Sequence, residues 1–301
     1  MSDSLSPLRG TRRRQAGDRD LRWPPLPDPL PLEVYDNHTH LEFEDGVEVL
    51  DPAESLTRAA GVGVAGVVQV GTDLETSRWS AELAANDSRV LAAVALHPNE
   101  APKLFAKGLL TAQLSEISRL ASQPRVRAVG ETGLDFFRTG EDGREAQIES
   151  FEAHIDIAKA NGIAMQIHDR DAHDAVVETL KRVGAPERTV FHCFSGDAEL
   201  ARICNDNGWY MSFAGTSTFK SAHALREALA VAKPELVLLE TDAPFLTPEP
   251  FRGRPNAPYL LPHTVRRLAA HLDIDLEEFC VRIVENTQRV YGSWQMNAED
   301  D

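Results

Sequence analysis

The chain predicts an α/β fold of the (β/α)8 TIM type, a single barrel domain with a flexible N-terminal extension. Three observations predict it. Eight short β-rich runs alternate with longer amphipathic stretches. The runs are almost continuously apolar, as parallel strands covered on both faces are. Six residues able to bind metal, His38, His40, Glu131, His168, His192 and Asp242, fall in order at the ends of those runs. A β/α barrel gathers the C-terminal ends of its strands at one face, so positions far apart in sequence can meet in one pocket.

The strand candidates are Val34 to Asn37, Val64 to Val70, Val90 to Leu96, Val126 to Gly130, Ala164 to Ile167, Thr189 to Phe191, Trp209 to Phe213 and Leu236 to Leu239. Between them the pattern predicts helices over Pro52 to Ala60, Leu74 to Asn86, Arg144 to Ala160, Ala172 to Arg182, Ala198 to Asn207 and His263 to His271. Start and stop signals support several, such as Asp51 before Pro52 and Asn161-Gly162 after the Arg144 helix. Eight alternations favour a closed barrel over an open doubly wound sheet, and no GxGxxG follows the first strand to mark a dinucleotide site.

With 301 residues, 42% hydrophobic, the chain can bury a large core in one domain. Residues 1–33, rich in Arg, Asp and Pro, lack hydrophobic periodicity and read as a disordered or loosely packed extension. The barrel is expected over 34–292, followed by a flexible acidic tail at 293–301. No apolar run approaches the ~18 residues of a membrane helix, and no apolar segment of a signal peptide follows Arg12, Arg13 and Arg14, so no membrane association is expected. The three cysteines show no CxxC spacing, which fits a reducing cytoplasm. A net charge of −16 argues against a broad basic face for duplex DNA. A nuclease remains open, because divalent ions in a carboxylate pocket invert the local field and contact phosphate directly.

The candidate site starts at Asp36-Asn37-His38-Thr39-His40, where extended geometry puts His38 and His40 on one face. Glu131 lies in Gly130-Glu131-Thr132-Gly133-Leu134-Asp135, and its carboxylate has two oxygens with which to bridge two cations. His168 and His192 end successive strands, each able to offer one imidazole nitrogen while a neighbour orients the other. Asp242, in Glu240-Thr241-Asp242-Ala243-Pro244, can complete a metal site and accept a proton from the attacking water. Glu240, two residues earlier, is either a carboxylate supporting the ligands or a strand-pairing one.

These motifs, together with Ile167-His168-Asp169-Arg170-Asp171-Ala172 and His192-Cys193-Phe194-Ser195-Gly196, resemble those of TatD-type metal-dependent deoxyribonucleases, a family of the amidohydrolase superfamily. The resemblance runs from Tyr35 to Tyr291. It implies that His38, His40, Glu131 and Asp242 hold one divalent ion while Glu131, His168 and His192 hold a second. Three positions depart from the family pattern. Phe136 replaces a tyrosine, Asn256-Ala257-Pro258 stands for NEP, and His154 replaces a helix glutamine. None removes a ligand.

For substrate contacts, Arg170 offers a planar donor fork to phosphate, or alternatively an ion pair to Asp169 or Asp171. His97, before Pro98, resembles the family's HP motif and can hydrogen-bond a phosphate oxygen or leaving group. Phe136 and Phe137 offer stacking surfaces, and Pro244 to Pro262 reads as a wall or lid carrying Arg252 and Arg254. The leading expectation is a 3′ to 5′ exonuclease, catalytic through Asp242 and Glu131, that acts on single-stranded DNA ends or RNA as a monomer with two Mg²⁺, Mn²⁺ or Zn²⁺ ions. The rivals are an ester or amide hydrolase, such as an aminoacyl-tRNA deacylase, and a non-catalytic interaction barrel.

Overall fold

The computed structural model describes residues 19–295. Eight parallel strands, in sequential order, form one sheet: β1 Val34–Thr39, β2 Val64–Val70, β3 Val90–Val94, β4 Val126–Asp135, β5 Ala164–Arg170, β6 Thr189–Phe191, β7 Tyr210–Phe213 and β8 Val237–Leu239. The sheet closes where Asp242 N donates to His38 O at 2.9 Å and His40 N to Ala243 O at 2.8 Å. This is the expected (β/α)8 barrel.

Ten helices cover it among the described residues: α1 Pro52–Ala60, α2 Leu74–Asn86, α3 Ala101–Ala106, α4 Leu110–Ala121, α5 Glu141–Asn161, α6 His173–Val183, α7 Ala198–Asn207, α8 His223–Val231, α9 Leu261–Leu272 and α10 Leu276–Tyr291. The sequence reading found six and missed α3, α4, α8 and α10. No described helix is long and apolar enough to cross a membrane.

Strand alternation divides the core into two shells. Val68, Val70, Leu91, Ala93, Ala128, Ala164, Val190 and Leu238 form a cluster inside the barrel, whereas Val67, Ala92, Val94, Met165, Ile167, Phe191 and Met211 belong to the one that packs against the helices. On β5 the inward parity starting at Ala164 continues through Gln166 and His168 to Arg170, so one face climbs from packed core to site.

The fourth strand is longer than predicted. Glycines at 130 and 133 read as a turn, yet β4 continues to Asp135, its register against β5 slipping between Val129 and Thr132. Gly133 adopts φ +130° and approaches β5 so closely that an added Cβ would lie 2.2 Å from His168 O. Glu131 therefore sits within the strand, not after it.

Residues 19–33 carry no strand or helix before Val34, but they are not loose. Leu30 is buried, Tyr259 donates its hydroxyl to Pro24 O at 2.7 Å, and Arg266 reaches Asp28 O and Pro29 O. Prolines leave this segment carbonyls but few N–H groups, and side chains of the barrel supply the missing donors. At the other end Trp294, within the expected tail, stacks on Tyr35 with centroids 4.2 Å apart, and its carbonyl accepts from Arg125, so the chain is docked on the barrel at that residue. Residues 1–18 and 296–301, the remainder of both expected tails, lie outside the described residues.

Candidate metal centre

The first motif divides its work between closing the barrel and aiming ligands. Asp36, fully buried, accepts from Thr241 N at 2.9 Å and from Thr241 Oγ1 at 2.5 Å, while Asn37 Nδ2 donates to Leu239 O at 2.7 Å. All three bonds cross the β1–β8 seam that presents His38, His40 and Asp242. Burial pushes the Asp36 carboxyl up to about 8.

The two imidazoles are oriented through their Nδ1 atoms. His38 Nδ1 faces Gln166 Oε1 at 2.8 Å and His40 Nδ1 faces Val70 O at 2.9 Å. Gln166 Nε2 is itself held by Asn37 O and Tyr291 Oη, each at 2.8 Å, so its oxygen must accept from His38. Carbonyl-type oxygens only accept, so each neutral ring carries its proton on Nδ1 and turns a bare Nε2 inward. Those Nε2 atoms lie 3.2 Å apart, and Asp242 Oδ1 stands 3.8 and 3.6 Å from them. Two facing lone pairs beside a carboxylate require a positive centre, a proton or a metal ion.

Glu131 links this group to the next. Its Oε1 is 3.6 Å from His40 Nε2, while Oε2 lies 3.1 Å from His168 Nδ1 and 2.8 Å from His192 Nε2. Here the rings are backed by acids: Glu240 Oε1 stands 3.2 Å from His192 Nδ1 and Asp135 Oδ2 3.3 Å from His168 Nε2. The latter approach lacks hydrogen-bond alignment, leaving that nitrogen close to its acid without a formed bond. Three overlapping donor groups result: His38 with His40 and Asp242, His38 with Glu131 and His192, and His97 with Glu131 and His168. All six predicted ligands converge.

Burial disfavours a charged His40, but Glu42, Glu131 and Asp242 outweigh it and raise the ring to about 9; the same opposition, won by Glu131 and Glu240, lifts His192 well above the usual range. Burial would raise Glu131, yet the surrounding histidines hold it well below the ordinary carboxylate range. Burial raises Asp242 to about 7, against the pull of His192 and His40. Divalent ions compete for the nitrogens that these protons occupy, and the nitrogen and oxygen donors fit them.

A profile of the family described as TatD related DNase matches residues 35–292. The chain belongs to the TatD family. It is a metal-dependent hydrolase of that type. An uncharacterized metal-dependent hydrolase TatD of Mycobacterium tuberculosis is 46% identical over 264 residues, covering 86% of this chain and 98% of that protein. A 3′-5′ ssDNA/RNA exonuclease TatD of Citrobacter rodentium is 32% identical over 254 residues, covering 81% and 93%. The crystal structure of YjjV, a TatD homologue of Escherichia coli K12, superposes with a TM-score of 0.77 at 27% identity, covering 86% of this chain and 98% of that one.

Around this TatD centre opens a mouth of about 1470 Å³, lined by His97, Arg170, Phe43 and Phe245 among others. His97 differs from the other rings. Its Nδ1 accepts from Asn99 N at 3.0 Å, so the neutral ring bears its proton on Nε2, 3.9 Å from Glu131 Oε2. Burial lowers its pKa to about 3, which keeps it neutral. In that tautomer Nε2 presents a hydrogen, not a lone pair, on the Glu131 side. Arg170 lies 4.1 Å over Phe137 and makes no ion pair with Asp169 or Asp171; Asp169 instead pairs with His173 at 2.6 Å. Phe136 lies under Arg144, and Arg252 lies over Phe219.

Sequence reasoning missed Gln166, Asp135 and Glu42 as supports. Gln166 and Asp135 are described above. Glu42, buried beside His40, accepts from Gln69 Nε2 at 2.6 Å. The signal was available: Gln69 and Gln166 interrupt apolar strands, and a polar side chain inside a covered strand must find a partner.

Proposed function

We propose that the protein is a 3′ to 5′ exonuclease that hydrolyses phosphodiester bonds at single-stranded DNA ends, and also takes RNA, as a cytoplasmic monomer with two divalent ions. His38, His40, Asp242 and one oxygen of Glu131 would hold the first ion, and the other oxygen of Glu131, His168 and His192 the second. Such ions supply Lewis acidity toward water and phosphoryl oxygen. The imidazole-rich set favours Zn²⁺ or Mn²⁺, although phosphoryl transfer commonly uses Mg²⁺.

One observation carries the reading: Glu131 turns its two oxygens toward different imidazole groups at the floor of a mouth that Arg170 borders. Within it, Asp242 takes the proton released by the attacking water. His97 donates from Nε2 to a phosphoryl or leaving-group oxygen, and Arg170 grips a phosphate while Phe137 braces its guanidinium. A centre at the floor of a barrel mouth favours frayed ends over intact duplex, and the name of the Citrobacter relative agrees with this direction and substrate.

The test is purified protein, supplied in turn with Mg²⁺, Mn²⁺ or Zn²⁺, on 3′- and 5′-labelled single-stranded DNA, RNA and aminoacyl-tRNA. Stepwise loss from the 3′ end that disappears in Asp242→Ala is expected. Deacylation without nucleotide release would replace the proposal with an aminoacyl ester hydrolase, and binding without turnover of any substrate would favour an interaction barrel.

A further inference from the structure

We propose that residues 19–24 are a brace that fixes two walls of the active-site mouth and so sets its grip on a nucleic-acid strand. This inference rests on the nuclease reading for its substrate. The segment is an addition to the shared barrel, because the family match begins at residue 35 and 86% of this chain already covers 98% of the M. tuberculosis relative.

The brace holds the loop after β1 at several points. Arg19 Nη2 donates to Asp45 Oδ2 at 2.8 Å, Val47 N donates to Leu21 O at 2.9 Å and Trp23 Nε1 donates to Glu48 O at 2.9 Å. The Trp23 ring also lies against Gly46, where an added Cβ would be 2.9 Å from it, so the indole occupies the space a larger residue would need. Gly46 has φ +92°, which gives a second reason for glycine there.

The same segment holds the loop after β8. Arg19 Nε donates to Gly253 O at 2.8 Å, and Arg254 Nη2 returns to Arg22 O at 2.8 Å and Trp23 O at 2.9 Å. Both bridged loops line the mouth, the first through Phe43 and Asp45 and the second through Pro244, Phe245 and Leu246. Their aromatic tips meet over His40: Phe43 and Phe245 are 5.8 Å apart by centroid, and each lies edge-on to that ring, at 5.7 and 6.1 Å.

A hydrogen-bonded chain also runs inward. Thr247 Oγ1 donates to Arg254 O at 2.5 Å, and Asn256 Nδ2 donates to Thr241 O at 3.0 Å and Phe245 O at 2.5 Å, on either side of Asp242. Asn256 opens the string that departs from the family's NEP. Arg19 and Trp23 touch neither the six ligands nor the reacting atoms. They are positioning residues, and loosening them frees the walls without dismantling the metal centre.

The test compares the full chain with Arg19→Ala/Trp23→Ala and with a deletion of residues 1–18 that keeps the brace. Hydrogen exchange by mass spectrometry, in the absence of nucleic acid, is expected to show roughly tenfold faster exchange in 41–51 and 244–257 of the double variant, with β4 and β5 unchanged. With metal supplied, its KM for a single-stranded 12-mer should rise about fivefold or more, while turnover of bis(4-nitrophenyl) phosphate stays within about twofold, since a small diester needs no walls. The deletion should match the full chain in exchange. Unaltered wall exchange in the double variant would overturn the brace, and so would equal loss in the deletion, which would assign the effect to the Arg12–Arg14 run. Failure of every form to degrade nucleic acid would instead reject the nuclease reading and leave the exchange contrast to judge the brace.

Discussion

The two halves of the centre are built from the same kinds of side chain but backed differently. His38 and His40 are fully or almost fully enclosed, and their outer nitrogens face the uncharged oxygens of Gln166 and Val70, with the Glu42 carboxylate also 3.7 Å from His40 Nδ1. His168, with 15% of its side chain exposed, and His192 stand against the carboxylates of Asp135 and Glu240. An amide or carbonyl fixes a tautomer and a direction. A carboxylate does that and also makes the imidazole a stronger base. His38 is therefore set by geometry and the second half by charge, His40 combines the two, and Glu131 joins the halves.

The largest effect should come from the shared ligand. Glu131→Ala removes a donor from both halves, so activity should fall about a thousandfold or more with every metal, and elemental analysis should find both ions depleted. Loss of only one ion would contradict bridging. Single-half variants separate the two: His38→Ala should lower the affinity for one ion and His168→Ala for the other. Calorimetric titration of metal-free protein would read this as loss of different steps. Loss of the same step in both variants would dissolve the division into halves.

Removing the backing groups should have smaller consequences. Glu240→Gln keeps an acceptor for the Cys193 N–H, now 2.7 Å away, but takes the charge from behind His192. It should weaken the second step by about 10- to 100-fold, the usual range for a lost supporting partner. Gln166→Leu removes the acceptor that holds His38 and should weaken the first step within the same range. The informative contrast lies in ionic character: the Glu240 variant should lower the affinity of its step without disturbing the His38 ring, while the Gln166 variant should change the tautomer signals of His38 in nitrogen NMR.

The candidate ligands and their supports were unequally legible in the sequence. All six candidate ligands could be named because each is a metal-binding residue type at or soon after an apolar strand run, a signal that depends on local contrast alone. Their supports were harder. Gln166 stands inside a strand and looks like an imperfection until its partners on β1 and α10 are known. Asp135 was hidden by Gly133, which reads as a turn but allows β4 to slip register and continue. The brace was illegible for another reason: nothing periodic marks a segment held by its own Arg19 and Trp23 and by Arg254, some 230 residues away. By contrast α10 did carry its signals, Asp275 capping Glu277 N and Glu278 N and two acids in the first turn, and it was open to prediction.

His154 sharpens the comparison from outside both halves. Its Nε2 accepts from Leu96 N at 3.1 Å and its Nδ1 faces Ser150 O at 2.6 Å and Thr132 Oγ1 at 3.1 Å, so one ring ties the backbone beside His97 to that beside Glu131. Burial lowers its pKa to about 4, against 6.5 for an unperturbed ring. Because the unfolded chain binds this proton more tightly, stability is full above about 6.5, falls as pH drops from there to about 4, and is level below; the loss from this group is on the order of 3 kcal/mol. Glutamine can accept from Leu96 and donate to Ser150 or Thr132 without titrating. His154→Gln should therefore match the parent in urea unfolding at pH 7.5 and exceed it at pH 4.5. A parallel decline in both proteins would mean that His154 is not neutral in the folded state, or that its bonds to Leu96 and Thr132 are absent.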